Sequence, residues 1–294
     1  MTPTTPARAW WLAIRPRTLG ASLVPVLVGT TFAWRIRGEV DVGIAALTAL
    51  AALALQVATN LANDCYDHAS GIDTEARLGP VRVVQAGLLR PESVRRAAFA
   101  AIAVALLAGT ALVARGGWPI VAIGASAAVA ALAYSAGPAP LAALGCGEVL
   151  AFAYFGLFAV GGTAWLQGVR PSGALLLVAI PIALLVTAIM LVNNLRDIPT
   201  DRAAGKRTLA VLLGDASTRR LYAGIVLGAF LAPLLLVSEL GWSWLLPLAL
   251  LPLARREVAS LRGRHGAELN LSLAGTARLH LLFGLASTVA LATP

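Results

Sequence analysis

The chain has 294 residues, of which 59% are apolar and only 13% charged, with a mean hydropathy of +0.81. A soluble monomer cannot bury so large an apolar fraction. The same figures exclude a disordered chain, a collagen-like repeat, a coiled coil and a disulfide-stapled secreted fold. A formal charge of +9 in such a chain points to arginine-rich cytoplasmic loops, so no nucleic-acid partner is expected. What remains is an all-α, polytopic membrane protein, a single domain over residues 1–294 embedded in the lipid bilayer.

Apolar runs of about 17 to 25 residues mark transmembrane helices. Here they fall at 18–34, 44–62, 97–113, 118–134, 149–166, 174–192, 221–237, 240–254 and 273–292, which predicts a nine-helix bundle around a central cavity. The first run lacks a small-residue cleavage site and is expected to be retained as a helix. The eighth is short and carries Pro247 and Pro252, so it is either a kinked span or a re-entrant segment. Arg8, Arg15 and Arg17 precede the first run. Arg77, Arg82, Arg90, Arg95 and Arg96 separate the second and third, and Arg196, Arg202, Lys206, Arg207, Arg219 and Arg220 separate the sixth and seventh. Arg255, Arg256, Arg262, Arg264 and Arg278 lie between the eighth run and the start of the ninth. Only Arg35, Arg37, Arg115 and Arg170 of the 23 basic residues fall on the other side. The positive-inside rule therefore places the N-terminus in the cytoplasm and the C-terminus outside. Two cytoplasmic connections, 63–96 and 194–219, are long enough to be functional loops. Cys65 and Cys146 lie on the same reducing side, without the spacing of a zinc or redox pair.

Acidic residues number only 14, and two groups of them resemble each other. Asn60 is followed by Asp64 and Asp67 at the end of the second run, continuing to Gly71 and Asp73. Asn193 is followed by Asp197 and Asp201 at the end of the sixth. Steps of three and four residues share one helix face, so each group aims an amide and two carboxylates in one direction. The matching offset, with four helices between, suggests an internal duplication. A carboxylate near the bilayer edge needs a compensating cation. Oxygen-only donors suit a hard ion, and Mg²⁺ takes one or two carboxylates plus phosphate oxygens and water. The pair of clusters thus indicates a Mg²⁺-diphosphate site held by Asp64, Asp67, Asp197 and Asp201. Pro199 disfavours helix at Ile198, which puts Asp201 on a kink or at the start of the loop. The cations that a diphosphate requires follow directly: Arg77, Arg82 and Gln85 after the first cluster, and Arg202, Lys206 and Arg207 after the second. Lys206 is the only lysine in the chain. Arg82 and Lys206 are the expected diphosphate contacts, while Arg95, Arg96, Arg219 and Arg220 need no role beyond orientation.

With these residues the chain resembles the UbiA family of intramembrane aromatic prenyltransferases, whose signatures are paired Asp-rich motifs after the second and sixth helices. The stretches from Arg15 (Arg-Pro-Arg-Thr-Leu), 60–73, Gly79-Pro-Val-Arg82 with Gln85-Ala-Gly87, Tyr134-Ser-Ala-Gly137-Pro, Gly145-Cys-Gly-Glu148, 193–201 and Gly205-Lys-Arg-Thr208 are most similar to one branch of it. That branch prenylates 1,4-dihydroxy-2-naphthoate in menaquinone biosynthesis. Gly71 stands where the wider family often has a third Asp, and Asp73 and Glu75 carry no assigned role.

The resemblance implies a polyprenyl diphosphate donor, 1,4-dihydroxy-2-naphthoate as acceptor, Mg²⁺ as cofactor, and a plasma-membrane enzyme whose active-site loops face the cytoplasm. Ionisation of the allylic C–O bond in a dry cavity would be followed by attack on the naphthoate ring and loss of CO₂, giving demethylmenaquinone. Asn60 and Asn193 would orient ligands or diphosphate. Tyr134 is either a group steadying the aromatic substrate or cation, or an interfacial belt tyrosine. The alternatives are another aromatic acceptor of the same family and a cation-coupled transporter. The transporter is disfavoured because both clusters sit at one membrane face and form a parallel repeat.

Overall fold

The computed structural model describes residues 5–69, 78–137 and 140–293, and among these every regular element is helical. Gly71, Asp73, Glu75, Arg77 and Pro138 lie outside the described residues. The chain opens with α1 (Pro6–Ile14), capped by Thr5 and begun by a proline whose missing N–H is an orphan there anyway. A sharp elbow at Arg15, a non-glycine residue at φ 55°, leads into α2 (Pro16–Arg37). The elbow is held from outside, because Asn60 Nδ2 donates to the Ile14 carbonyl at 2.9 Å and to Thr18 Oγ1 at 3.0 Å.

α3 (Val42–Ala69) packs along α4 (Pro91–Gly116), and α5 (Trp118–Ala133) completes that side. The next span, Gly147–Leu166, is composite. α6 (Gly147–Phe152) passes through a π-helical segment, Ala153–Phe158, into α7 (Ala159–Leu166). α8 (Gly173–Ala203) follows, then the short α9 (Leu209–Leu213) and α10 (Asp215–Gly228), which continues into α11 (Ala232–Leu235). After α12 (Val237–Leu240) comes a 3₁₀ helix, Trp242–Leu250, then α13 (Leu251–Gly263) and finally α14 (Leu269–Ala292).

Seven of the described helices are long and apolar enough to cross a bilayer, and the protein is a multi-pass membrane protein. The expected run 118–134 forms a shorter apolar helix of 16 residues. Run 240–254 falls largely on the 3₁₀ helix around Pro247 and bends into α13. α8 is the axis of the molecule: 67% of its apolar window is buried, against 17% for α3. Ile182, Leu185 and Leu191 of α8 pack with Val24 and Val28 of α2 and with Leu279 and Phe283 of α14 in one core. Large apolar side chains such as Leu107 and Trp118 point outward, as they do where the surroundings are hydrocarbon.

Three sequence expectations are corrected. The connections are shorter than 63–96 and 194–219, because α3 runs on to Ala69 and α8 to Ala203. Backbone hydrogen bonding is indifferent to side-chain polarity, so the polar clusters end the apolar run without ending the helix. Asp201 lies within α8, past Pro199, and not at the start of a loop. Pro199 forfeits one bond, to the Leu195 carbonyl, while N–H groups from Ala204, Gly205 and Lys206 satisfy the carbonyls of Thr200, Arg202 and Asp201. Half of the connection expected after run eight, 255–272, is occupied by α13, and α14 begins within it at Leu269.

Helices approach most closely where a side chain is missing. A Cβ on Gly156, inside the π segment, would collide with the backbone of Ala183 on α8. Replacing Gly156 with Leu should cost about 1–3 kcal/mol through overpacking, lowering the thermal unfolding midpoint in detergent by several degrees. Gly161, on the same span with open space around it, should accept Ala without such a loss. Equal midpoints for the two variants would show that this contact does not set the helix spacing.

Candidate active site

The C-terminal ends of α3 and α8 open on a cavity of about 1630 Å³. Its far part is apolar, lined by Leu112 and Val113 of α4, Ile120 of α5, and Tyr154, Phe155 and Phe158 of the π segment. π-turns widen a helix locally and re-aim its side chains, and here Tyr154 and Phe158 stack edge to face with ring centroids 5.4 Å apart.

The polar part is built by periodicity. On α3, Gln56, Asn60, Asn63 and Asp67 recur at three- and four-residue steps and line the cavity; on α8, Asn193, Asn194, Asp197, Thr200 and Asp201 do the same. Arg82, Tyr134 and Lys206 join them. Eight of the ten sequence-derived site residues are therefore gathered in one place: Asn60, Asp67, Arg82, Tyr134, Asn193, Asp197, Asp201 and Lys206.

Asp64 and Gln85 are not among the lining residues. Asp64 lies one residue beyond Asn63, about 100° around the helix, and is fully buried. Its Oδ2 accepts the N–H of Val83 at 3.0 Å and its Oδ1 that of Val84 at 2.9 Å, with Arg15 Nη2 at 3.9 Å from Oδ2. The carboxylate thus anchors the turn that carries Arg82. Gln85 sits half-buried in the same turn. Asn60 is likewise engaged with the α1–α2 elbow.

Each acidic side chain facing the cavity meets a cation. Arg82 Nη2 lies 2.9 Å from Asp67 Oδ2 and Lys206 Nζ lies 3.5 Å from Asp201 Oδ1. Arg196 clasps Asp197 through two bonds, of 2.8 and 2.6 Å. The completely buried guanidinium of Arg196 also donates to Asn193 Oδ1 and Asn270 Oδ1, both at 2.9 Å. Asn270 in turn donates to the Leu78 carbonyl at 2.8 Å, so one network ties α8, α14 and the segment before α4. Tyr134 Oη has Met190 Sδ at 3.5 Å, and Ser135 Oγ donates to Asn63 Oδ1 at 2.6 Å.

Sequence reasoning missed several of these residues. Arg196 is counted there only for orientation, although its place beside Asp197 permits a bidentate pair. Asn63 and Asn194 are quoted within the motifs without a role. No sequence signal separates Tyr154, Phe155 and Phe158 from aromatics that face lipid.

Among the described residues no three His, Cys, Asp or Glu side chains come together as a closed metal cage. The donors are instead carboxylates on opposite walls, Asp67 against Asp197 and Asp201, with amides between. That set fits Mg²⁺, which completes its shell with substrate phosphate and water; it does not suit zinc, which prefers nitrogen and sulfur.

A helical membrane bundle enclosing a largely apolar cavity, with carboxylates from two helices and cations from the segments that follow them at its polar end, is the architecture of an intramembrane enzyme acting on an amphiphile with a charged head. The chain belongs to the UbiA prenyltransferase family, whose model matches residues 22–270. It is 40% identical to the 1,4-dihydroxy-2-naphthoate octaprenyltransferase of Mycobacterium tuberculosis over 96% of both chains. It is 36% identical to the Escherichia coli protein of the same name, over 83% of this chain and 82% of that one. Its fold is similar to that of a UbiA homolog from Archaeoglobus fulgidus bound to DMAPP and Mg²⁺, with a TM-score of 0.66 at 14% identity over 97% of this chain and 99% of that one. The apo UbiA homolog of Aeropyrum pernix K1 aligns at a TM-score of 0.68 and 20% identity, over 94% of this chain and 98% of that one.

Because Asp64 holds the Arg82 turn, Asp64→Asn should loosen it. A lost charge-assisted hydrogen bond corresponds to about tenfold in local opening, so limited trypsin should cut at Arg82 or Arg90 about tenfold faster than in the unaltered protein. An unchanged cutting rate would show that the carboxylate does not anchor the turn.

Proposed function

We propose that this protein transfers a polyprenyl group from polyprenyl diphosphate to 1,4-dihydroxy-2-naphthoate, releasing diphosphate and CO₂ and forming the hydroquinone of demethylmenaquinone. No oxidant is needed: the allylic C–O bond breaks, a C–C bond forms at the ring carbon, and the carboxylate leaves as CO₂. The observation that carries this reading is that acidic clusters from α3 and α8, with Arg82 and Lys206, form the polar end of one otherwise apolar cavity. The names of the relatives sharing 36–40% of their residues with this chain support the same donor and acceptor classes. So does the occurrence of DMAPP and Mg²⁺ in a protein of the same fold.

Asp67, Asp197 and Asp201, with Asn63 and Asn193, would hold Mg²⁺, which when bound neutralises the diphosphate as a Lewis acid. Arg82 and Lys206 bind the outer diphosphate oxygens, exchanging a carboxylate partner for a phosphate one. Arg196 keeps the Asp197 carboxylate in place. Asp64 acts from behind, by holding the turn that bears Arg82. Tyr154, Phe155 and Phe158 keep water from the apolar part and offer π faces to a developing allylic cation. The bundle spans the plasma membrane nine times in this reading, with the N-terminus and the acidic ends of α3 and α8 cytoplasmic, consistent with the arginine distribution.

The test supplies purified protein in lipid vesicles with polyprenyl diphosphate, Mg²⁺ and a panel of aromatic acceptors, and identifies products by mass. Prenylated, decarboxylated naphthoquinol should form with Mg²⁺ and disappear with a chelator. Asp67→Asn, Asp197→Asn and Asp201→Asn should each lose at least about a hundredfold in turnover while the protein remains folded in the membrane. Product from a different acceptor alone, or near-normal turnover in these variants, would reject the assignment.

A further inference from the structure

Gly147 and Glu148, at the start of α6, take no part in the chemistry above, yet Glu148 is a carboxylate buried to 3% exposure. One oxygen, Oε1, accepts from Asn194 Nδ2 at 2.9 Å. The other, Oε2, has no hydrogen-bond partner. A half-satisfied buried carboxylate is costly, so its retention calls for a reason. Its neighbours supply one. A Cβ at Gly147 would stand 3.2 Å from the Tyr134 hydroxyl and 3.7 Å from both Asn194 Nδ2 and Met190 Cγ, so the bare glycine backbone lets these three side chains meet. Tyr134, Gly147, Met190 and Asn194 all line the cavity, with Leu150 beside them, whereas Glu148 stands behind that wall.

The direction of the Asn194 amide follows from chemistry. A carboxylate oxygen accepts and an amide nitrogen donates, so Glu148 compels Nδ2 to turn towards it. The carbonyl Oδ1 is left for the cavity. The Tyr134 hydroxyl beside it has the Met190 thioether, a weak acceptor, at 3.5 Å. An obligate acceptor next to a hydroxyl that gives and takes, with the apolar side chains of Met190 and Leu150 beside them, matches a flat ring carrying a hydroxyl group.

We propose that this patch is the aromatic-acceptor subsite: Asn194 Oδ1 accepts a hydrogen bond from a ring hydroxyl of the acceptor, and Glu148 is the positioning residue that fixes the Asn194 amide. The inference deepens the proposed function and rests on it for the identity of the acceptor. A hydroxyl bonded to an amide whose nitrogen is held by a carboxylate is polarised towards oxygen, which enriches the ring carbon that must attack. Glutamine at position 148 could donate as well as accept, so the Asn194 amide would lose its enforced direction.

The experiment uses the full chain in lipid vesicles. Binding of 1,4-dihydroxy-2-naphthoate is followed by its fluorescence, alongside KM for acceptor and for polyprenyl diphosphate and the thermal midpoint. Glu148→Gln should raise the acceptor Kd and KM about tenfold, with KM for polyprenyl diphosphate changed less than about twofold; Glu148→Asp should recover part of the loss. The unaltered protein should bind a mono-methyl ether of the acceptor about as weakly as Glu148→Gln binds the diol. An unchanged acceptor Kd, or a parallel rise of both KM values with a lowered midpoint, would overturn the proposal. If Glu148→Gln fails to reach the membrane, Asn194→Ser is read by the same criteria. Naphthoate binding without turnover would reject the proposed function and leave the subsite standing. Turnover with an acceptor Kd indifferent to Glu148 and Asn194 would do the reverse.

Discussion

Carboxylates at the end of a membrane bundle repel one another and are poorly hydrated, and the rest of this structure is arranged around that fact. Asp64, Asp67, Asp197 and Asp201 are all buried, and each has a basic side chain near it: Arg15, Arg82, Arg196 and Lys206 respectively. Such pairs stabilise little relative to an apolar core, but breaking one leaves an isolated buried charge. The pairing therefore fixes positions. Arg196 ties α8 to α14, Arg82 brings the segment before α4 over the end of α3, and Arg15 sits in the elbow that starts α2.

Neighbouring acids take different jobs because a helix turns. Asp67 falls on the stripe shared by Asn60 and Asn63 and reaches the cavity; Asp64 is rotated away, towards backbone N–H groups of the next segment. The acid that resembles a ligand in sequence thus becomes the support of the turn that carries Arg82. A similar division holds on the other wall, where Asp197 faces the cavity while Arg196 is buried behind it.

The apolar part of the cavity is lined in part by a break in helix regularity. The π segment Ala153–Phe158 contains the close crossing of Gly156 on Ala183, so one face of the span is drawn against α8 while the other presents Tyr154, Phe155 and Phe158 to the cavity. Apolar lining, π surface and a polar end then coexist in one cavity. That combination is what chemistry through an allylic cation requires.

Composition and hydropathy sufficed to establish a helical, multi-pass membrane protein, since continuous apolar runs of about 17 to 25 residues have the length of spanning helices and not of alternating barrel strands. Spacing sufficed to pair the two acidic groups, because three- and four-residue steps share a helix face wherever the helix happens to be. Those properties are local and additive along the chain. What Asp64, Asn60, Glu148 and Arg196 touch is not local: it depends on which segment crosses which helix and at what angle. Pro199 shows the same limit: the sequence marks it as a helix breaker, yet α8 runs on through it to Ala203, and the N–H groups of Ala204, Gly205 and Lys206 close its end on the carbonyls of Thr200, Arg202 and Asp201. Residue pattern thus dictated what the helices carry, and only their packing determined which of those groups meet in the cavity and which hold it in shape.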